Sequence, residues 1–161
     1  MARIFVTVGA QMPFDRLVHA VDAWAHARGR EADVLAQIGP SDAPPAHVAH
    51  VRFLEPAAFD RAYEEAELVV AHAGTGSILA ALERGRPIVV MPRRAALRET
   101  RNDHQVATAR AFASLGRIPV AWDETEIAAV LDRVGSSAGA PSVGRYASTE
   151  LLGAIRTFVE S

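Results

Sequence analysis

The stretch Leu68-Val-Val-Ala-His72-Ala-Gly-Thr-Gly-Ser77-Ile-Leu-Ala-Ala-Leu-Glu-Arg84-Gly-Arg-Pro87-Ile-Val-Val-Met91 decides how this chain folds. It opens on a short apolar run at residues 68–71, crosses two glycines, and continues as an alanine- and leucine-rich segment to Arg84. Gly85 then stands where a helix ends in a left-handed cap, and a second β-branched run follows at 87–91. Strand, helix and strand in this order form a crossover unit, whose two strands run parallel and are buried on both faces.

The same alternation extends in both directions. Residues 4–8, 34–38, 48–54 and 118–121 read as further strands, and 14–28, 57–67, 102–115 and 124–134 as helices. The pattern predicts a single doubly wound, Rossmann-like α/β domain over residues 1–161, with a core at 3–134. Its parallel sheet is expected in the order 3-2-1-4-5-6, with helices on both faces. Gly29 marks a second helix end, residues 39–46 read as a surface loop, and 135–144 as a flexible link to an amphipathic helix at 145–159 that packs back onto the domain.

Composition narrows the chemistry. Half of the 161 residues are hydrophobic and 22% are charged, which suits a packed globule. The net charge of −2 is spread along the chain, so no basic stripe for nucleic acid is expected. Every one of the 17 basic residues is arginine, which excludes chemistry that needs a lysine side chain, such as a Walker-A ATPase or a Schiff-base enzyme. Without cysteine there is no thiol nucleophile or cysteine-held metal. The apolar run near the N-terminus is too short for a signal-peptide core, and no run approaches a membrane span, so a cytoplasmic location is the expectation.

In a doubly wound sheet, ligands bind beyond the carboxyl ends of the strands, and three segments there can carry chemistry. After the first strand, Gly9 lets the backbone turn and offer N–H groups, although the G-x-G-x-x-G dinucleotide pattern is absent; an ordinary strand-to-helix turn is the alternative. In His72-Ala-Gly74-Thr75-Gly76-Ser77, two glycines permit close approach of a phosphate to a helix N-terminus, with Thr75 and Ser77 as caps or donors; a plain capped helix is the alternative. From Pro92 to Gln105 lies a dense polar loop. Arg93 or Arg94 can meet phosphate bidentately and the carboxylate and amide side chains can read sugar hydroxyls, or Asn102 or Asp103 can simply cap a helix. His19, His26, His47 and His50 read as surface residues, and Trp24 and Trp122 as packing.

Taken together, Phe5-Val-Thr-Val-Gly-Ala-Gln11, His72-Ala-Gly-Thr-Gly-Ser-Ile78, Gly85-Arg-Pro-Ile-Val-Val-Met-Pro-Arg93 and Asn102-Asp-His-Gln105 resemble the C-terminal domain of glycosyltransferase family 28. More narrowly, they resemble the donor-binding subunits of two-component UDP-sugar transferases, including exopolysaccharide counterparts. The resemblance implies one lobe, the C-terminal half of a GT-B glycosyltransferase. Such a lobe holds UDP-N-acetylglucosamine or a UDP-hexose and works without metal or cofactor. A separate membrane-associated subunit binds a lipid-linked saccharide, supplies the general base and recruits the lobe to the inner face of the membrane. The resemblance assigns UDP and its diphosphate to Gly9, Gln11, His72, Gly74, Thr75, Gly76, Ser77 and Arg93. It assigns sugar or ribose to Glu99, Asn102, Asp103, His104 and Gln105. One departure stands out: Ala80 occupies the position where the related peptidoglycan transferase holds the ribose with a glutamate. A non-catalytic nucleotide-binding or scaffolding module on the same fold is the other reading.

Overall fold

The structure, a computed structural model, describes residues 3–9, 12–115 and 118–136. The expected helix at 145–159 lies outside the described residues, as do Ala10 and Gln11.

Five parallel strands form one sheet in the order β3-β2-β1-β4-β5: β1 (Ile4–Thr7), β2 (Val34–Gln37), β3 (Ala49–Val51), β4 (Leu68–His72) and β5 (Ile88–Met91). This is the expected order for the first five strands. The sixth, expected at 118–121, is reduced to one parallel bridge between Val120 and Val90. Pro119 explains part of this: having no N–H, it reaches β5 only through its carbonyl, which accepts from Val90. The third strand is also shorter than the expected 48–54.

Side chains alternate across the strands, and both faces are apolar. Val6, Val8, Val70, Val89 and Met91 pack against α1 (Asp15–Ala27) and α5 (Ile127–Ser136). Phe5, Val69, Ala71, Ile88 and Val90 pack against α2 (Pro56–Glu65), α3 (Thr75–Glu83) and α4 (His104–Ser114). Strands buried on both sides account for the continuous apolar runs in the sequence. Pro56 begins α2, where a missing N–H costs nothing. Gly29 and Gly85 have φ of 65°, the left-handed conformation expected just past α1 and α3. Trp24 is buried and its indole N–H donates to Asp132 on α5 at 2.9 Å, joining the two helices on that face.

No helix covers the crossover from β2 to β3. A loop descends beside α1 in its place, tied to a stripe of that helix at helical spacing. Ser41 donates to Asp15 (2.5 Å), His19 Nε2 bonds the Ala43 carbonyl (2.7 Å), and the buried Asp22 accepts the N–H groups of Ala46, His47 and Val48. The His26 and His47 rings stack at 3.8 Å. These histidines are exposed, as expected, and from the surface they help to hold the loop. Among the described residues, no helix is long and apolar enough to cross a membrane.

Candidate functional site

The loops after β1, β4 and β5 meet at the carboxyl end of the sheet. β4 ends in His72, Ala73 is buried, and α3 begins at Thr75 with Gly74 as its N-cap residue. Thr75 and Ser77 do not cap it: the N-terminus of α3 has no side-chain cap. The first intrahelical bond runs from Ile78 N–H to Gly74 O, so the amides of the first turn have no partner within the helix and the positive end of its dipole is open. Tyr63 on α2 donates to the Ser77 main-chain carbonyl at 3.3 Å, bracing this turn from beneath.

The Ser77 hydroxyl turns instead to His72 Nε2 at 3.1 Å, and His72 Nδ1 lies 3.1 Å from Gln105 Nε2. The other end of that amide, Gln105 Oε1, accepts the Arg93 main-chain N–H at 3.2 Å. His72 lies between two glycine loops. A Cβ at Gly74 would come within 2.4 Å of its Cε1, and one at Gly9 within 3.0 Å of its Nε2. The ring is half-buried, and desolvation followed by the Arg93 charge pushes its pKa down to about 4. At neutral pH it is an uncharged hydrogen-bonding group, poorly matched to act as a general base.

Arg93 does not fill its expected role as a phosphate contact. Only 4% exposed, it donates to the carbonyls of Pro13 (2.9 Å), Met12 (2.8 Å), Glu99 (3.1 Å) and Val8. Its guanidinium also lies over the Phe14 ring, 4.9 Å from the centroid. It is a structural tie between the first and third loops. Burial lowers its pKa, and the charge of Glu99 works against that shift.

Glu99, expected to meet a sugar or ribose, is likewise engaged. Its carboxylate receives Arg16 through two bonds of 2.8 and 3.0 Å and the Arg94 N–H at 3.0 Å, and the pair is largely buried, at 14% and 11% side-chain exposure. Arg16 continues to Glu124 at 2.8 Å, and Arg94 to the Trp122 carbonyl at 3.0 Å. Asp103 accepts the Ala95 N–H and Asn102 the His104 N–H, both at 2.9 Å, so these side chains shape the loop. His104 opens α4 with its side chain exposed.

Of the residues singled out in the sequence, the structure brings Gly9, His72, Gly74, Ser77 and Gln105 together. Thr75 and Gly76 lie on the adjoining first turn of α3. Glu99, Asn102 and Asp103 are occupied elsewhere in the polar loop. Sequence reasoning missed the bracing role of Tyr63 and the tie made by Arg93. An arginine two residues beyond the apolar run 87–91, so close to the sheet's end, was the available signal for burial.

The profile of the glycosyltransferase family 28 C-terminal domain matches residues 3–137, and the chain belongs to that family. A curated relative, the UDP-N-acetylglucosamine transferase subunit ALG13 of Eremothecium gossypii, is 40% identical over 82 residues, half of this chain and 38% of that protein. Among solved structures, MurG of Acinetobacter baumannii has a TM-score of 0.65 at 17% identity, covering 100% of this chain and 50% of its own. The kitacinnamycin glycotransferase has a TM-score of 0.62 at 23% identity over 96% of this chain and 38% of its own. The solution structure of ALG13 has a TM-score of 0.56 at 22% identity, covering 84% of this chain and 85% of that one. At these identities the structures establish a shared fold. The match to the curated relative spans well under half of its length.

Proposed function

We propose that this chain is the donor-binding subunit of an inverting GT-B glycosyltransferase, taking UDP-N-acetylglucosamine or a UDP-hexose. The observation that carries the reading is the uncapped N-terminus of α3 beside the Ser77 hydroxyl. Its free amides and helix dipole suit a diphosphate, and they oppose the negative charge that develops on UDP as the sugar departs. Family membership and the subunit named ALG13 support the same class of reaction.

Single displacement also needs a base at the acceptor hydroxyl. In the loops described, Glu99 is held by Arg16, Asp103 by the Ala95 amide, and His72 is a weak base. By the resemblance to two-component transferases, we assign the base to a separate, membrane-associated subunit that presents a lipid-linked saccharide and recruits this chain to the inner face of the membrane. Exopolysaccharide or glycolipid assembly is the setting, and the reaction invokes no metal. Met12, Phe53 and Leu97, exposed on loops after β1, β3 and β5, offer apolar surface for that partner at the carboxyl end of the sheet.

Calorimetric titration of UDP, UMP, UDP-glucose, UDP-N-acetylglucosamine and NAD tests the reading. Selective binding of uridine diphosphates, weakened by Ser77→Ala, is expected. A folded protein that binds none of them overturns the donor site. It would favour the scaffolding alternative, for which Ala80, lacking a carboxylate on α3, is the specific observation.

A further inference from the structure

We propose that Gln105 is a positioning residue for the diphosphate site: acting through His72, it fixes the direction of a hydrogen-bond chain so that the Ser77 hydroxyl proton is left for the ligand. This goes beyond a direct sugar contact for Gln105 and rests on the donor-site reading above.

The direction follows from donor and acceptor chemistry. A main-chain N–H can only donate, so the atom of Gln105 that meets Arg93 N is its carbonyl oxygen, and the amide NH2 faces His72. That NH2 can only donate, so His72 Nδ1 accepts. In a neutral imidazole the proton then sits on Nε2 and is given to Ser77 Oγ. Ser77 thereby fills an acceptor site and keeps its own proton free, beside the open amides of the α3 first turn. Gly9 and Gly74 confine the ring from two sides, which holds both nitrogens on their partners. A chain running the other way would have Ser77 donate into His72 and turn a lone pair toward an anion. Its two present partners take one N–H and one carbonyl lone pair of the Gln105 amide, and this positioning role rests on those two bonds alone.

Gln105→Glu tests the idea, because a carboxylate still accepts from Arg93 N–H while presenting an acceptor, not a donor, to His72 Nδ1. Nitrogen-15 NMR of the histidine rings at neutral pH, with the His72 signals assigned by their loss in His72→Asn, reads the tautomer directly. The expected result is a proton on Nε2 in the parent and on Nδ1 in Gln105→Glu. UDP-glucose affinity, measured by calorimetry, is expected to fall about tenfold or more in Gln105→Glu, the range of a lost hydrogen bond to a charged group. In a Ser77→Ala background the same substitution is expected to change affinity less than about twofold, since the two act along one chain.

A parent ring protonated on Nδ1 overturns the proposal, as does a Gln105→Glu loss equally large with and without the Ser77 hydroxyl, or no loss at all. Should Gln105→Glu not fold, the parent tautomer decides alone. Failure of the folded parent to bind UDP, UDP-glucose or UDP-N-acetylglucosamine overturns the donor-site reading and the proposal with it. That outcome is distinguished by the parent titration from a wrong tautomer in a protein that binds.

Discussion

The imidazole of His72 occupies the space beside Gly74 so closely that a methyl group there would stand 2.4 Å from Cε1 and 2.9 Å from Nδ1. The φ of Gly74, −84°, is open to any residue, so the demand for glycine is one of volume alone. Gly74→Ala is expected to destabilise the fold by about 1–3 kcal/mol, the usual cost of overpacking, and to remove UDP-sugar binding. Truncating the ring in the same chain, as His72→Ala with Gly74→Ala, should return most of the stability and none of the binding. Urea unfolding and calorimetry on the two variants check this.

The low pKa of His72 gives a signed pH dependence. Its value in the fold is about 4 against an ordinary 6.5, so the unfolded chain binds the extra proton first. The contribution is fully present above pH 6.5 and is lost as pH falls from there toward 4, by roughly 3 kcal/mol at most. Urea unfolding between pH 4 and 7 is expected to show a steeper acid loss for the parent than for His72→Asn. Parallel profiles would contradict the burial of a neutral ring.

Arg93→Lys should behave as a severe substitution despite keeping the charge. One ammonium cannot serve carbonyls of Val8, Met12, Pro13 and Glu99 together, and it gives up the contact over Phe14. A loss of about 2–4 kcal/mol is expected from carbonyls left without donors, together with faster proteolysis of the loop after β1.

Glu99→Gln separates a structural role from a sugar contact. The substitution removes the more buried of the two carboxylate charges that pair with Arg16, and stability should fall by about 1–3 kcal/mol. The ratio of UDP-glucose to UDP-N-acetylglucosamine affinity, measured on the folded variant, is expected to stay within about twofold of the parent. A larger change in that ratio would return Glu99 to the sugar site.

The sheet was legible because its strands are buried on both faces and its punctuation is local. The apolar runs led to β1, β2, β4 and β5, and Gly29 and Gly85 marked helix ends that tertiary contacts did not override. The sixth strand misled because apolar character says nothing about a missing donor at Pro119. Within the candidate site, residue types and their neighbourhood were legible, but the assignment of each polar atom was not. Arg93 and Glu99 suit phosphate and sugar by type, and only the folded chain reveals that carbonyls 80 to 85 positions away and Arg16, 83 positions away, have claimed them. Sequence periodicity reports which face of an element is dry; it carries no record of which of several possible partners a side chain meets.

The loop that replaces a helix between β2 and β3 takes its shape from Asp15, His19 and Asp22, so instructions for one segment are stored in the sequence of another. Inheritance of that loop is then a joint affair. A relative whose β2-to-β3 connection differs in length or path should carry compensating changes at these three helical positions, and a graft of the loop without its stripe should leave β3, the outermost strand, without its guide.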